Sequence, residues 1–145
     1  MKAVNILCRI VYTILQWTYG IIQNITGLII LIRLHIKDKS TKSYYYHGAI
    51  VTKWRDGTSM GMGMFVFMGR DKPGVLVHEY GHTVQSVITG PLYLLVVGLP
   101  SAIWCNAEKF RTLRREKNVR YTSFYCEAWA NHLGRLVLHQ EPIND

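Results

Sequence analysis

Apolar positions along the chain change period several times, and each change predicts a different element. From Ile10 to Ile32, 23 residues carry no formal charge, bracketed by Arg9 and Arg33. As one helix this run would extend about 35 Å, enough to cross the hydrocarbon core of a bilayer. Gln16, Gln23, Asn24 and several threonines interrupt it. Buried amides are unfavourable unless something bonds to them, so these side chains either weaken the span or face the protein. Tyr44 to Trp54 is rich in aromatic and β-branched residues, Asp56-Gly57 follows as a turn signal, and Ser59 to Met68 reads as a second extended run. Together they predict a β-hairpin. In the second run Ser59, Gly61 and Gly63 alternate with Met60, Met62 and Met64, leaving one face nearly bare for another backbone to approach.

Helical spacing returns downstream. Pro73 suits a first helical turn and Gly90-Pro91 a stop, which predicts a helix over Gly74 to Thr89. Pro91 to Cys105 is again apolar, but 15 residues broken by Gly98 and Pro100 are short for a crossing, so a re-entrant, interfacial or core element is expected. Ser123 to Leu138 predicts a further helix, with Phe124, Ala128, Leu133, Leu136 and Val137 available for packing. The expected fold class is α+β: an N-terminal apolar helix, a β-hairpin or small antiparallel sheet, and two later helices. Residues 1–42 read as a membrane-anchoring or membrane-associated helix with a basic flank, and 43–145 as one compact domain.

Charge sharpens the membrane reading. The 145 residues carry a formal net charge of +8, which favours an anionic partner, either nucleic acid or acidic lipid. The cations crowd into Arg33 to Lys42 and Lys109 to Arg120, each directly after an apolar stretch. That placement suits lipid headgroups, and no nucleic acid is expected. A plainly solvated face, diluted by Glu108 and Glu116, is the competing reading of the second cluster. No small-x-small cleavage site follows the first apolar run, so an uncleaved anchor is expected. Arg33, Lys37, Lys39 and Lys42 outnumber Lys2 and Arg9, which places the downstream part in the cytoplasm. Cys8, Cys105 and Cys126 form no Cys-x-x-Cys pair and are odd in number, arguing against a disulfide framework and for a reducing compartment.

The candidate chemistry lies in His78-Glu79-Tyr80-Gly81-His82. On a helix, residues four apart lie one above the other, so both imidazoles can reach one cation in adjacent tetrahedral positions. Glu79 is turned about 100° from His78, where a carboxylate can act as general base without being a ligand. Gly81 leaves room for close packing beside the second histidine. A catalytic zinc takes three protein ligands, and Glu108, Glu116, Glu127, His132 and His139 are the candidates for the third. Glu108 and Glu116 lie in a charged stretch, whereas Glu127 is flanked by apolar residues, and a buried carboxylate needs a partner such as a divalent cation. Asn131, one turn beyond Glu127, is placed to hydrogen-bond a ligand and fix its orientation.

A His-Glu-x-x-His helix followed by a glutamate on a later helix resembles the gluzincin metallopeptidases. Glu127-x-x-Ala130-Asn131 is similar to the Glu-x-x-Ala-Asp signature of the membrane-bound CAAX-processing and heat-shock endopeptidases, with Asn131 in place of the usual aspartate. The resemblance implies a minimal zincin-like core, one Zn2+ held by His78, His82 and Glu127, Glu79 as base, and a peptide or protein substrate. The tetrahedral oxyanion of peptide hydrolysis needs a hydrogen-bond donor, and Tyr121, Tyr125, His132 and Arg135 lie near Glu127 in sequence. The Ser59 to Met68 edge is expected to take an extended peptide by strand addition. Because one ion joins His82 to Glu127, the apolar segment between them cannot simply cross a bilayer, unless the site itself lies at membrane depth. The competing functional readings are a metal-binding domain without peptidase activity and a basic membrane or nucleic-acid interaction module.

Overall fold

The computed structural model describes residues 2–55 and 57–144, without the side chains of residues 2–5. It is an α+β structure of six α-helices and one four-stranded sheet. The helices are α1 (Lys2–Thr18), α2 (Ile21–Lys37), α3 (Pro73–Thr89), α4 (Leu99–Asn106), α5 (Glu108–Lys117) and α6 (Tyr125–Leu138). The strands are β1 (Ser43–Tyr46), β2 (Ala49–Lys53), β3 (Met60–Met62) and β4 (Phe65–Met68), in sheet order β1-β2-β4-β3.

The α+β class is as expected, but where the sequence predicts a β-hairpin or small antiparallel sheet the sheet is mixed, with one parallel pairing. His47 and Gly48 both take positive φ, 48° and 99°, the geometry of a two-residue turn that matches strand twist. They split the aromatic run into the antiparallel pair β1 and β2. Gly63, at φ 61°, turns the second run into the antiparallel pair β3 and β4. Gly57 therefore lies in the connection from β2 to β3, and β2 pairs with β4 in parallel, Ile50 opposite Phe65 and Lys53 opposite Met68. The sheet is mixed because each run contains its own turn glycine.

Central strand β4 is buried on both faces. Val66 and Met68 join Ala49, Val51, Val75, Val77, Tyr80 and Leu138 on the side of α3 and α6. Phe65 and Phe67 meet Leu28, Leu31 and Leu34 of α2 on the other. Gly27 lets α2 lie flat there, since a Cβ would come within 2.6 Å of the Met62 carbonyl oxygen.

The run expected to form one long N-terminal helix is broken at Tyr19-Gly20, and α1 and α2 are bent by 92°. The polar residues explain the elbow. Gln16 donates to the Thr83 carbonyl at 2.9 Å. Gln23 donates to Ser86 Oγ at 2.9 Å and to the Gly90 carbonyl at 3.0 Å. Asn24 accepts the Met64 N–H at 2.8 Å. A straight helix would aim these amides at lipid or water, whereas the bend docks them on α3 and on the β3–β4 turn. Among the described residues, no single helix is long and apolar enough to cross a membrane. After α3 the chain passes a 3-10 turn (Gly90–Leu92), bends by 120°, and enters α4 through a π-helical turn (Leu94–Gly98).

Helices α3 and α6 cross through two glycines. A Cβ at Gly81 would strike the Ala130 carbonyl, and one at Gly134 would strike the Val77 carbonyl. Backbone meets backbone at both points, which fixes the distance between the two helices that carry the candidate ligands.

Candidate metal centre

His78 and His82 lie one turn apart on the buried face of α3, and Glu127 lies in the first turn of α6. Glu127 Oε2 is 3.0 Å from His78 Nε2 and 3.3 Å from His82 Nε2. One ligand atom from each residue lies within 4.8 Å of the other two, and all three side chains are buried. The group can hold a metal ion.

Its hydrogen bonds support that use. Asn131 donates its amide to the Ile143 carbonyl at 2.9 Å, which turns Oδ1 toward His78 Nδ1 at 2.8 Å. Gln85 donates its amide to the Cys126 carbonyl at 2.7 Å and presents Oε1 to His82 Nδ1, also at 2.7 Å. Both amides are anchored by acceptors, so their oxygens face the rings and both Nδ1 atoms must carry the proton. The neutral rings then aim their Nε2 lone pairs at a carboxylate oxygen. Three acceptors pointing at one another repel unless a proton or a cation lies between them, and a divalent ion satisfies all three.

Without metal, burial pushes the Glu127 carboxyl up, but the hydrogen bonds from His78 and His82 outweigh it and hold Glu127 well below the ordinary carboxylate range. Burial likewise pushes His78 down, and its bond to Glu127 reverses this, raising it to about 9. The depressed Glu127 contributes stability above its usual pKa of 4.5 and loses it as pH falls. The raised His78 contributes fully below 6.5 and loses its contribution as pH rises toward 9. The metal-free chain is therefore expected to lose melting temperature between pH 6.5 and about 9. A bound cation replaces the proton, so the rise in melting temperature on adding zinc should grow over the same interval. Melts in chelator and in zinc across that range check both signs; a zinc increment that shrinks with pH would contradict the arrangement.

Glu79 lines a cavity of about 380 Å³ beside His82, together with Met60, Gly61, Tyr93, Ser101 and Tyr121. Burial pushes the Glu79 carboxyl up, against the pull of His78 and His82 and of the Gly61 N–H that faces it. The bare face expected along β3 is present, and the backbone that approaches it is α3: a Cβ at Gly61 would lie 2.5 Å from the Glu79 carbonyl oxygen. Strand addition is not open at Gly61, because Tyr93 Oη donates to its carbonyl at 3.0 Å while its N–H faces Glu79.

Of the other third-ligand candidates, Glu108 pairs with Arg111 at 3.7 Å on the surface, and Glu116, His132 and His139 are exposed. Of the four oxyanion-donor candidates, Tyr121 alone lines the cavity, its ring centroid 6.3 Å from that of His78. Burial and the Glu127 charge push its hydroxyl above the tyrosine range, so it stays a donor. Tyr125 instead donates to the Val96 carbonyl, and exposed Arg135 pairs with Glu141 at 3.0 Å. Sequence reading missed Gln85, Tyr93 and Ser101, whose hydroxyl faces Glu127 and Tyr121. Gln85 had a signal, three residues beyond His82 on the same helical face. Tyr93 and Ser101 lie in an apolar stretch with no spacing to mark them.

Compared with protein-family models, curated proteins and solved structures, the chain matches none.

Proposed function

We propose that this chain is a membrane-associated, zinc-dependent endopeptidase. The observation that carries the reading is the convergence of His78 Nε2, His82 Nε2 and Glu127 Oε2, with a second carboxylate, Glu79, lining the adjoining cavity. Two nitrogens and one oxygen from a closed protein shell are the donor set of a catalytic zinc, whose remaining position is left for water.

Zinc bound there would supply Lewis acidity and lower the pKa of a water molecule. The protein supplies the rest. Asn131 and Gln85 hold the imidazoles in one tautomer. Glu79, raised by burial, takes the proton of the attacking water and delivers it to the leaving amine. Tyr121 donates to the oxyanion as the carbonyl becomes tetrahedral.

Membrane association is supported by exposed apolar residues repeating at helical spacing, Ile6, Ile10 and Ile14 on α1 and Ile22, Ile25 and Ile29 on α2. The basic residues at the end of α2 and just beyond it, Arg33, Lys37, Lys39 and Lys42, support a cytoplasmic-facing site as part of this reading. The closed strand edge at Gly61 favours one second reading, a metal-holding domain that cleaves no peptide.

Metal analysis with peptide hydrolysis tests the proposal. The chain should purify with one zinc, and Glu79→Gln should keep the zinc while lowering hydrolysis by roughly 10²–10⁴-fold. A zinc-loaded chain that cleaves nothing supports the second reading, and a chain without metal affinity rejects both.

A further inference from the structure

We propose that an anionic phospholipid headgroup binds the arginine-lined hollow at the C-terminal end of α5, with the apolar ridge of residues 95–103 in the acyl region beneath it. The inference rests on the membrane-association part of the proposed function and not on hydrolysis.

The hollow has a volume of about 600 Å³ and is lined by Arg111, Arg114, Arg115, Asn118, Arg120 and Tyr121, among others. Arg114 is held in place by the carbonyls of Trp104 and Cys105 and lies 4.8 Å from the Trp104 ring centroid. It thereby ties the hollow to the last turn of α4. Arg111 has a weak surface partner in Glu108, 3.7 Å away. Among the described residues, no carboxylate lies within ion-pair reach of Arg114, Arg115 or Arg120. Cations gathered in one hollow without a counter-charge repel one another, and a phosphate accepting from several guanidinium groups relieves this.

The neighbouring surface selects the source of that phosphate. Leu95, Leu99 and Ile103 are 67, 54 and 45% exposed, and all three lie beyond the 120° bend, where their four-residue spacing gathers them on one face. Only Ala107 separates the helix bearing the end of this ridge from α5. The turn that leads into this ridge adjoins the α1–α2 elbow, because the Tyr19 ring packs against Gly90. An acidic peptide or an RNA would satisfy the arginines but leave the ridge in water. A bilayer rich in acidic lipid satisfies both. Tyr121 lines both this hollow and the cavity beside His82, so a headgroup bound here lies next to the candidate site, and substrate would be met at the membrane surface.

Vesicle flotation of the full chain provides the test, with phosphatidylcholine alone and with phosphatidylglycerol added, at low and high salt. Phosphatidylglycerol should strengthen binding about ten-fold or more, and salt should remove that increment, since each near-surface cation is worth roughly five-fold. Arg115→Glu with Arg120→Glu should cut the increment by about five-fold or more, leaving the share owed to Arg33, Lys37, Lys39 and Lys42, and keep binding to neutral vesicles through α1 and α2. Leu95→Ser with Leu99→Ser should weaken binding to both vesicle types. His82→Ala should keep the increment, which separates lipid docking from any failure of the peptidase reading. No increment from phosphatidylglycerol, or an increment left undiminished by the double charge reversal, would overturn the proposal. So would a polyglutamate peptide or an RNA oligonucleotide that binds the chain more tightly than the anionic vesicles.

Discussion

Glu127→Ala is expected to empty the site of zinc and, with it, to remove all metal-dependent hydrolysis, while Glu116→Ala leaves both unchanged. Losing a group that only orients a ligand lowers metal affinity by roughly 10–100-fold; Glu127 supplies an inner donor, so its loss should exceed that range. Glu116 is exposed on α5 and reaches nothing in the site. The metal-free state separates two further variants. In Glu127→Ala the two Nε2 atoms lose their common partner, and breaking a buried charged pair by removing one member typically costs about 3–5 kcal/mol. In Glu127→Gln the side-chain amide can donate to both Nε2 lone pairs while each Nδ1 proton keeps its bond to Asn131 or Gln85. Glu127→Gln should therefore melt above Glu127→Ala in chelator, lack the wild-type loss of stability between pH 6.5 and 9, and still bind zinc poorly. Metal content measured beside melting curves of the three proteins decides the matter. Equal zinc in Glu127→Ala and Glu116→Ala would remove Glu127 from the site.

The residues converging on the centre were legible from sequence because helical spacing is rigid: His78 and His82 share a face of α3 whatever surrounds it, and Pro73 and Gly90 mark the ends of that helix. Glu127 was legible by elimination, as the one carboxylate among apolar neighbours. What sequence did not carry was direction in space. The polar break at Gln16 to Asn24 was visible, but its consequence, a 92° elbow that sends those amides onto α3 and the β3–β4 turn, depends on hydrogen-bond partners some 40 to 70 residues away. The turn signal at Asp56-Gly57 was stronger to the eye than His47-Gly48, yet β2 found its partner in parallel β4, and strand pairing is a tertiary choice. Asn131 has a local reason to be an amide: it donates to the Ile143 carbonyl, which an ionised carboxylate cannot do.

Gly81→Ala should destabilise the fold and lower zinc affinity together, although alanine is the better helix former. Replacing an interior helical glycine by alanine favours the helix by about 1 kcal/mol. Here the new methyl would meet the carbonyl carbon and oxygen of Ala130, and a backbone on a packed helix cannot turn aside as a side chain can. Overpacking of this kind costs about 1–3 kcal/mol and occasionally more, so the clash wins. The relief available is a wider spacing of α3 and α6, and that displacement draws Glu127 away from the two imidazoles. Gly134→Ala meets the Val77 carbonyl across the same crossing and should produce the same paired loss. Gly98→Ala serves as the control, because its Cβ would touch nothing closer than a Leu94 side-chain atom at 3.4 Å; its melting temperature should hold or rise, with zinc unchanged. Thermal melts alongside zinc titration of the three variants give the answer. A Gly81→Ala protein that melts like wild type and binds zinc as tightly would mean that contact between these two backbones does not set the geometry of the centre.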